Sequence, residues 1–261
     1  MAGSNGNGNS DREAASTIQS VERAARILDF FTVSRPRLTL GEITARLGVS
    51  KATAHRYAMA LRGVNLLRYD KAAAEYTLGP QVLTLAAAAR AGLPIITLAG
   101  PIMERLVRQV NETAVLSVWD GEAPVVVRVD DSTERVIRLS VRAGARLSIL
   151  GSAQGRVFSA FLGPDEIAEL AELAGDKGLA KELQAVRDSG VAINTPEVHG
   201  VRTVAAPVFS DGRIVAVMAI VGTTATVSDD ISSPAAKALV AAAQQLTEQF
   251  GLPADELAPI P

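Results

Sequence analysis

The chain has 261 residues, of which 48% are hydrophobic and 21% are charged, a composition typical of a packed globular protein rather than a disordered one. Cysteine is absent, which excludes disulfides and thiolate metal sites. No apolar run reaches the roughly 18 residues of a membrane span, and the N-terminus lacks the basic and then apolar order of a signal peptide. We therefore expect a cytoplasmic protein of one large or two ordinary domains that does not enter a membrane.

Charge is distributed unevenly along the chain. The net charge is −2, yet residues 16–78 contain ten Lys and Arg against five Asp and Glu, a net of +5 that leaves −7 for the remainder. A basic module on an acidic body is typical of a DNA-binding domain joined to a sensing or assembly domain. A chance fluctuation is the alternative explanation of the charge taken alone.

The N-terminal region predicts a tail and one helix. Residues 1–15 are rich in Gly, Asn and Ser, which favours a disordered tail. Ser16 or Thr17 can cap a helix that ends near Val33. The helix has an apolar stripe at helical spacing, formed by Val21, Ala24, Ala25 and Leu28. Ile27, Phe30 and Phe31 widen this stripe.

Residues 38–67 predict two helices joined by a tight turn. Thr39 and Glu42 have the spacing of a capping box, Gly48 suits the left-handed position after the first helix, and Ser50 is a good N-cap for the second. The inner face of the second helix consists of Ala54, Tyr57, Ala58 and Leu61, and the outward residues are Lys51, Ala52, His55, Arg56 and Arg62. This is the helix-turn-helix pattern.

A short hairpin and a linker helix are predicted next. Two strands at 66–70 and 75–78 form the hairpin, where Arg68 and Lys71 are placed to meet DNA phosphates as a wing; a plain connecting hairpin with solvated charges is the alternative. Gly79-Pro80 begins an Ala- and Leu-rich linker helix. The predicted boundaries are a DNA-binding domain at 16–78, a linker at 79–93, a second domain at 94–251 and a tail at 252–261.

From Pro94 the pattern of helix, strands, helices, strands and helix predicts an α+β domain with a mainly antiparallel sheet. The predicted helices are 95–110, 152–162, 164–173, 177–189 and 233–250. The predicted strands are 113–119, 124–129, 136–141, 191–194, 201–209 and 214–221, with a short apolar run at 146–150. The turn Asp211-Gly212 marks a hairpin.

Enzyme chemistry has little support in this second domain. Its acidic pairs, Asp130-Asp131, Asp165-Glu166 and Asp229-Asp230, are of the kind found at turns and caps. Sequence motifs of serine hydrolases, P-loop enzymes and zinc proteases are absent, and one histidine, His199, is too few for a transition-metal site. We expect no catalytic residue, cofactor or metal, and keep an enzyme as a remote alternative.

Five stretches in this order resemble the IclR family of transcriptional regulators: IQSVERAARILDFF, LTLGEITARLGVSKATAHRYAMAL, YTLGPQVLTLA, GSAQGRVFSAFLG and GVRTVAAPVFSDGRIVAVMAIVGT. The resemblance extends from Thr17 to about Phe250. It implies a winged helix-turn-helix followed by a GAF-like effector-binding domain. It also implies homodimers through the N-terminal domains, commonly assembled as dimers of dimers, and repression or activation altered by a small metabolite.

In such a regulator the second helix would enter the major groove of a double-stranded DNA operator. The operator would be palindromic because the dimer has two-fold symmetry. We expect Lys51 and Arg56 to reach phosphates or guanine edges, and the hydroxyls of Ser50 and Thr53 to bond phosphate. His55 would either donate to a base or lie near a phosphate. Tyr57 is interpreted as a packed residue with a wet hydroxyl.

The effector site is expected at loop 147–155, where small residues let a ligand approach N–H groups at a helix N-terminus. The resemblance adds positions on the late hairpin, and the full set is Leu147, Gly151, Ser152, Ala153, Gln154, Val201, Thr203, Met218 and Ile220. Leu150 replaces a histidine frequent in the family, and Ile193 takes the place of a polar residue. We therefore expect the ligand to be a carboxylate or an aromatic catabolite that is larger or more apolar than a small keto acid.

The sequence is also compatible with two alternatives. Leu147, Val201, Met218 and Ile220 can each be plain core, and Trp119 is interpreted as core rather than as a ligand contact. The whole chain can also be a DNA-binding architectural protein whose second domain only assembles oligomers.

Overall fold

The computed structural model describes residues 19–132, 141–173, 175–194 and 200–250. The predicted tails, the caps at Ser16 and Thr17, nearly all of the strand predicted at 136–141, and His199 lie outside the described residues. The chain divides into two compact units, Met1–Gly92 and Leu93–Pro261.

The N-terminal unit combines helices with a small antiparallel sheet. Its helices are α1 (19–29), α2 (Leu40–Leu47), α3 (Lys51–Gly63) and α4 (Pro80–Ala91). Its strands are β1 (Leu38–Thr39), β2 (Leu67–Asp70) and β3 (Glu75–Leu78), in the spatial order β1-β3-β2. The helix-turn-helix and the wing are therefore present as predicted, and β1 extends the wing by one short strand.

Helix α1 differs from the prediction in its end and in its buried face. It ends at residue 29 rather than near Val33, because Thr32 and Arg35 exchange two backbone hydrogen bonds of 3.1 and 2.9 Å and turn the chain. Val21 is 66% exposed, whereas Ile27 is fully buried. The buried face is thus centred on Ile27 rather than on the predicted stripe.

The C-terminal unit is built on a five-stranded antiparallel sheet, in the order β5-β4-β8-β7-β6. Its strands are β4 (Thr113–Trp119), β5 (Pro124–Asp130), β6 (Ala192–Asn194), β7 (Val201–Ser210) and β8 (Arg213–Thr223). Its helices are α5 (Pro94–Val110), α6 (Ala153–Leu162), α7 (Ala168–Glu172), α8 (Lys177–Ser189) and α9 (Pro234–Phe250). The predicted α+β class with an antiparallel sheet is confirmed.

Helices cover both faces of this sheet. One core packs α5 and α9 against residues such as Val204 and Met218, and the other packs α6 and α8 against Ala205 and Val217. Because neighbouring residues of a strand point to opposite faces, these two cores use alternate positions of β7 and β8.

One predicted helix of this unit is shorter than expected, and a short apolar run forms no regular element. The helix predicted at 164–173 is only α7, because the N–H groups of Glu166 and Ile167 bond the carbonyl of Gly163 and close a turn first. The run at 146–150 forms no strand beyond one isolated bridge between Val125 and Arg146.

No single helix among the described residues is long and apolar enough to cross a membrane. Within the described ranges, one pair of consecutive helices, α4 and α5, reaches that length and composition when their residues are counted together. Much of α5 is buried in the core of the C-terminal unit, as in an ordinary core helix.

Candidate functional sites

Three local caps hold the start of α2, the end of α2 and the start of α3. Glu42 donates its N–H to the Thr39 hydroxyl at 3.2 Å, and Thr39 donates its N–H to the Glu42 carboxylate at 2.8 Å. Gly48 takes the left-handed conformation with φ of 68°, and Ser50 accepts the Thr53 N–H at 3.3 Å. These caps were predicted from the sequence, and they fix the direction in which α3 leaves the turn.

The capping box makes the N-terminal unit sensitive to acid. The Thr39 backbone N–H, followed by its hydroxyl, lowers the pKa of Glu42. A lowered pKa stabilises the fold above the ordinary carboxyl pKa, and that contribution is lost as the pH falls through the lowered value. We therefore expect Glu42→Gln to be less stable than wild type at neutral pH, with the difference shrinking under acid conditions.

Tyrosine near-UV circular dichroism can follow this loss in the full chain, because all three tyrosines lie in the N-terminal unit and the only tryptophan, Trp119, lies in the C-terminal unit. Unfolding of the C-terminal unit, followed by tryptophan fluorescence, is the internal control. A stability difference that stays constant from neutral to acid pH would remove the Glu42 carboxylate from this role.

Helix α3 buries one face and exposes the other. Ala54, Ala58 and Leu61 are buried, whereas the exposed residues of its first two turns are Lys51, Ala52, His55 and Arg56. Within the described part of the chain, Lys51 and Arg56 take part in no ion pair. Their charges are therefore available to an external anion.

Two predicted contact residues and Tyr57 have partners inside the protein. The hydroxyls of Ser50 and Thr53 lie 3.0 Å apart at the cap, so each is already used locally while staying accessible. Tyr57 packs against the core of the unit, and its hydroxyl oxygen lies 3.5 Å from that of Ser20. Interaction of the phenolate form with the Ser20 hydroxyl lowers the pKa of Tyr57.

The wing adds more basic groups beside the end of α3. The Arg62 guanidinium lies over the Tyr69 ring at 5.4 Å from its centroid and donates to the Met59 sulfur at 3.2 Å. Arg68 and Lys71 are exposed. Arg62, Arg68 and neighbouring residues line an open groove with a volume of about 420 Å³.

The tip of the wing is held by one carboxylate. Asp70 accepts the N–H groups of Ala73 and Ala72 at 3.3 and 2.9 Å, and these bonds lower the pKa of its carboxyl. The fixed turn places Lys71 at the exposed end of the hairpin.

In the C-terminal unit, the loop before α6 is tied by its own hydrogen bonds. Ser148 accepts the Gly151 N–H, and Ser152 accepts the Gly155 N–H, each at 2.9 Å. A side chain on Gly155 would place its Cβ 2.0 Å from the Ile149 carbonyl oxygen. The small residues at 151 and 155 therefore serve the loop itself, and these two N–H groups are not the free ligand donors that the sequence suggested.

Buried polar side chains lie beside this loop. Gln154, 4% exposed, donates to the Ser117 hydroxyl at 2.8 Å. Asn194 donates to the Gly151 carbonyl at 2.6 Å. Ser117 and Asn194 were not among the residues predicted from the sequence. The polar residue expected before the hairpin was matched to Ile193, but Ile193 packs on the opposite face of the sheet, against α5 and α9. Polar residues within otherwise apolar strands were the available signal.

A group of mainly aliphatic side chains, named here the valine patch, joins β4, β5 and the hairpin to this loop. Val115, Val126 and Val221 form its buried centre, with Leu147 and Val201 partly buried beside them. Ala153 is fully buried in the neighbouring core, and Thr203 pairs directly with Asn194. The structure thus brings most of the predicted effector residues to one region.

Met218 and Ile220 are not brought to that region. Both are fully buried on the other face of the sheet, packed with α5 and α9. The β8 residues that share the α6 side are Val217 and Ala219, with Val221 in the valine patch. Trp119 packs on Phe158 with ring centroids 5.6 Å apart, as the core interpretation expected.

The comparisons with known proteins agree with this two-part layout. A model of the IclR helix-turn-helix domain matches residues 20–71, and a model described as the bacterial transcriptional regulator IclR C-terminal matches residues 87–248. The chain belongs to the IclR family. It is accordingly a DNA-binding transcriptional regulator with a C-terminal effector domain, and its relatives are regulators rather than enzymes.

Three relatives illustrate the likeness. The HTH-type transcriptional regulator XynR of Escherichia coli is 29% identical over 250 residues, covering 91% of this chain and 99% of the relative. An IclR-type regulator from Silicibacter sp. TM1040 has a crystal structure with a TM-score of 0.77 and 27% identity, covering 89% and 96% of the two chains. An IclR homologue of Microbacterium hydrocarbonoxydans, crystallised with 4-hydroxybenzoate, shares the fold at 22% identity and a TM-score of 0.72, covering 88% and 98%.

Proposed function

We propose that this IclR-family regulator binds a palindromic operator as a homodimer and changes its DNA affinity or oligomeric arrangement when a small carboxylate or aromatic catabolite binds. The observation that carries the proposal is the exposed basic face of α3, where Lys51 and Arg56 lack ion-pair partners within the described chain. The functional parts would be the DNA-binding domain at 16–78, the linker at 79–93 and the effector domain at 94–251.

The contacts to DNA divide by position. Residues in the first turns of α3 face the bases and nearby phosphates, as in other helix-turn-helix proteins; these are Ser50, Lys51, Ala52, Thr53, His55 and Arg56. Arg62, Arg68 and Lys71 would meet phosphates from the end of α3 and the wing. Phosphate contacts add affinity without sequence preference, so binding should weaken steeply as salt rises.

The dimer is supported by helix α4. None of its twelve residues is buried within the chain. Two apolar side chains are exposed, Leu83 at 75% and Leu85 at 52%. An isolated helix of this length is marginal in water and is stabilised by packing of its apolar side. A second copy of the chain would supply that packing.

Leu83→Asp is expected to weaken the dimer by at least about tenfold, since burial of a leucine side chain contributes about 1.5–3 kcal/mol. Sedimentation velocity over a concentration series measures the change. Gln81→Asp, a matched change at an exposed position of the same helix, is the control. Identical association of wild type and Leu83→Asp would place the dimer contact elsewhere, and a larger wild-type species would report a dimer of dimers.

The effector class is supported by the chemistry around the valine patch. The patch offers an apolar wall, and the Ser117, Gln154 and Asn194 side chains offer buried polar groups beside it. Ligand sites of this kind are mostly apolar with a few placed polar groups. The likeness to a homologue crystallised with 4-hydroxybenzoate supports an aromatic carboxylate in particular.

Thermal shift with 4-hydroxybenzoate, benzoate and pyruvate tests this proposal on the full chain. A ligand of the folded state raises the melting temperature in a concentration-dependent way. The same compounds are then added to a titration of operator selected from random DNA. A ligand that stabilises the protein and shifts operator affinity supports a sensor; a complete panel of small acids without either effect supports the architectural alternative.

A further inference from the structure

A cavity of the C-terminal unit lies at the far end of α6 from the valine patch. It has a volume of about 270 Å³ and is lined by the last turn of α6, by α7 and by α8. None of its lining residues belongs to the effector residues or the DNA-facing residues discussed above. It is therefore a separate feature of the C-terminal unit.

The walls of this cavity are mainly leucine side chains. Leu170 and Leu183 are 7% and 6% exposed, and Leu179 is partly buried. Ala180 lines the cavity and is itself exposed, so it lies at the mouth. Ligand cavities for drug-sized molecules begin at roughly 300 Å³. This cavity consequently suits a one-ring or short aliphatic molecule.

Ser159 is an uncharged polar residue in the wall of this cavity. It is fully buried, and its hydroxyl is the one buried side-chain oxygen or nitrogen without a hydrogen-bond partner in the described ranges 19–132, 141–173, 175–194 and 200–250. A buried hydroxyl left unpaired costs free energy, and such groups in folded proteins call for an explanation. A ligand oxygen in the cavity would supply the missing partner.

The charges at the cavity balance one another. Asp176 accepts the N–H groups of Gly178 and Leu179 at 2.8 and 3.1 Å. Arg187 donates to the Ala160 carbonyl at 2.5 Å and to Gln184 at 3.1 Å. One acid and one base, both committed to local bonds, leave no net charge to select an ionic ligand.

We propose that this cavity is a second small-molecule site, which takes a neutral one-ring or short aliphatic molecule with a hydroxyl or carbonyl oxygen bonded to Ser159. This site is independent of the effector site, so either proposal can fail without the other.

Titration of the full chain with phenol, followed by leucine methyl NMR, tests the site directly. Saturable shifts are expected at Leu170, Leu179 and Leu183. Ala180→Phe fills the mouth from an exposed position and should abolish them. Ala241→Phe, which adds the same bulk at an exposed position of α9, should leave them unchanged. Absence of saturable shifts at these leucines, or their persistence in Ala180→Phe, would overturn the proposal.

The role of the hydroxyl is tested by Ser159→Ala with phenol and benzene as paired probes. Loss of one hydrogen bond should weaken phenol about tenfold and leave benzene unchanged. Without ligand, Ser159→Ala should melt about 2 °C or more above wild type, because the unpaired hydroxyl is gone.

Ser189→Ala is the matched control for that melting experiment, since its hydroxyl donates to the Ala185 carbonyl at 2.7 Å and should not give the gain. A Ser159→Ala protein that melts below wild type, or binds phenol equally well, contradicts the assignment.

Discussion

Arg56→Ala is expected to weaken operator binding about 100-fold or more while leaving the fold and the oligomer intact. A bidentate arginine–base contact is worth about 1–3 kcal/mol, and a two-fold dimer loses it in both half-sites. The side chain is exposed and makes no ion pair within the described chain, so its removal breaks no ion pair there. Fluorescence anisotropy with the selected operator at fixed salt measures the change.

The matched control is Arg213→Ala, which removes the same charge from an exposed position at the start of β8 in the C-terminal unit. It should bind the operator within about twofold of wild type, since Arg213 belongs to the C-terminal unit and is not one of the proposed DNA-facing residues of α3 and the wing. Unchanged affinity in Arg56→Ala would remove Arg56 from the interface. An equal loss in both variants would show a general charge effect in place of a specific contact.

Ala153→Phe is expected to abolish the response to the effector without stopping operator binding. Ala153 is fully buried in the first turn of α6, next to Gln154 and its bond to Ser117. A phenyl ring there would occupy the space beside the polar groups that the ligand would use. The measurement is operator affinity with and without the compound that stabilises wild type.

Overpacking alone can cost about 1–3 kcal/mol, so the variant needs a control for stability. Ala160→Phe adds the same bulk at a buried position of the same helix, where the alanine is 3% exposed. Ala153→Val adds less bulk at the test position. Tryptophan fluorescence follows the unfolding of the C-terminal unit in each. A normal response in folded Ala153→Phe, or an equal loss in Ala160→Phe, would move the effector site away from the start of α6.

The helix-turn-helix was predictable because its signals are local. The capping box of Thr39 and Glu42, the left-handed Gly48 and the Ser50 cap act within a few residues, and all are present. The alternation of buried and exposed residues in α3 followed from helical spacing. The partial engagement of Arg62 with Tyr69 did not follow, because it depends on how the wing folds back.

The effector region was harder to predict because both faces of the sheet are covered. Strand β8 is apolar at nearly every position, so its sequence does not say which side faces α6. A shift of one residue exchanges the two faces, and this separates Met218 and Ile220 from Val217 and Ala219. The same alternation distinguishes Ile193 from Asn194.

Long-range partners explain the remaining differences. The buried face of α1 is centred on Ile27 because the rest of its unit packs there, leaving Val21 exposed. The Gly155 position is dictated by the carbonyl of Ile149, a contact invisible in residue composition. Composition and spacing therefore predicted which elements form, and packing decided which of their residues meet.

Guanine N7 methylation interference on the selected operator tests the central claim most directly, because N7 lies in the major groove where α3 is proposed to bind. Two symmetric clusters of interfering guanines are expected, about one helical turn apart or a multiple of it. Arg56→Ala should lose both clusters. A single asymmetric cluster would contradict the two-fold dimer. Strong operator binding without any interference at N7 would contradict entry of α3 into the major groove.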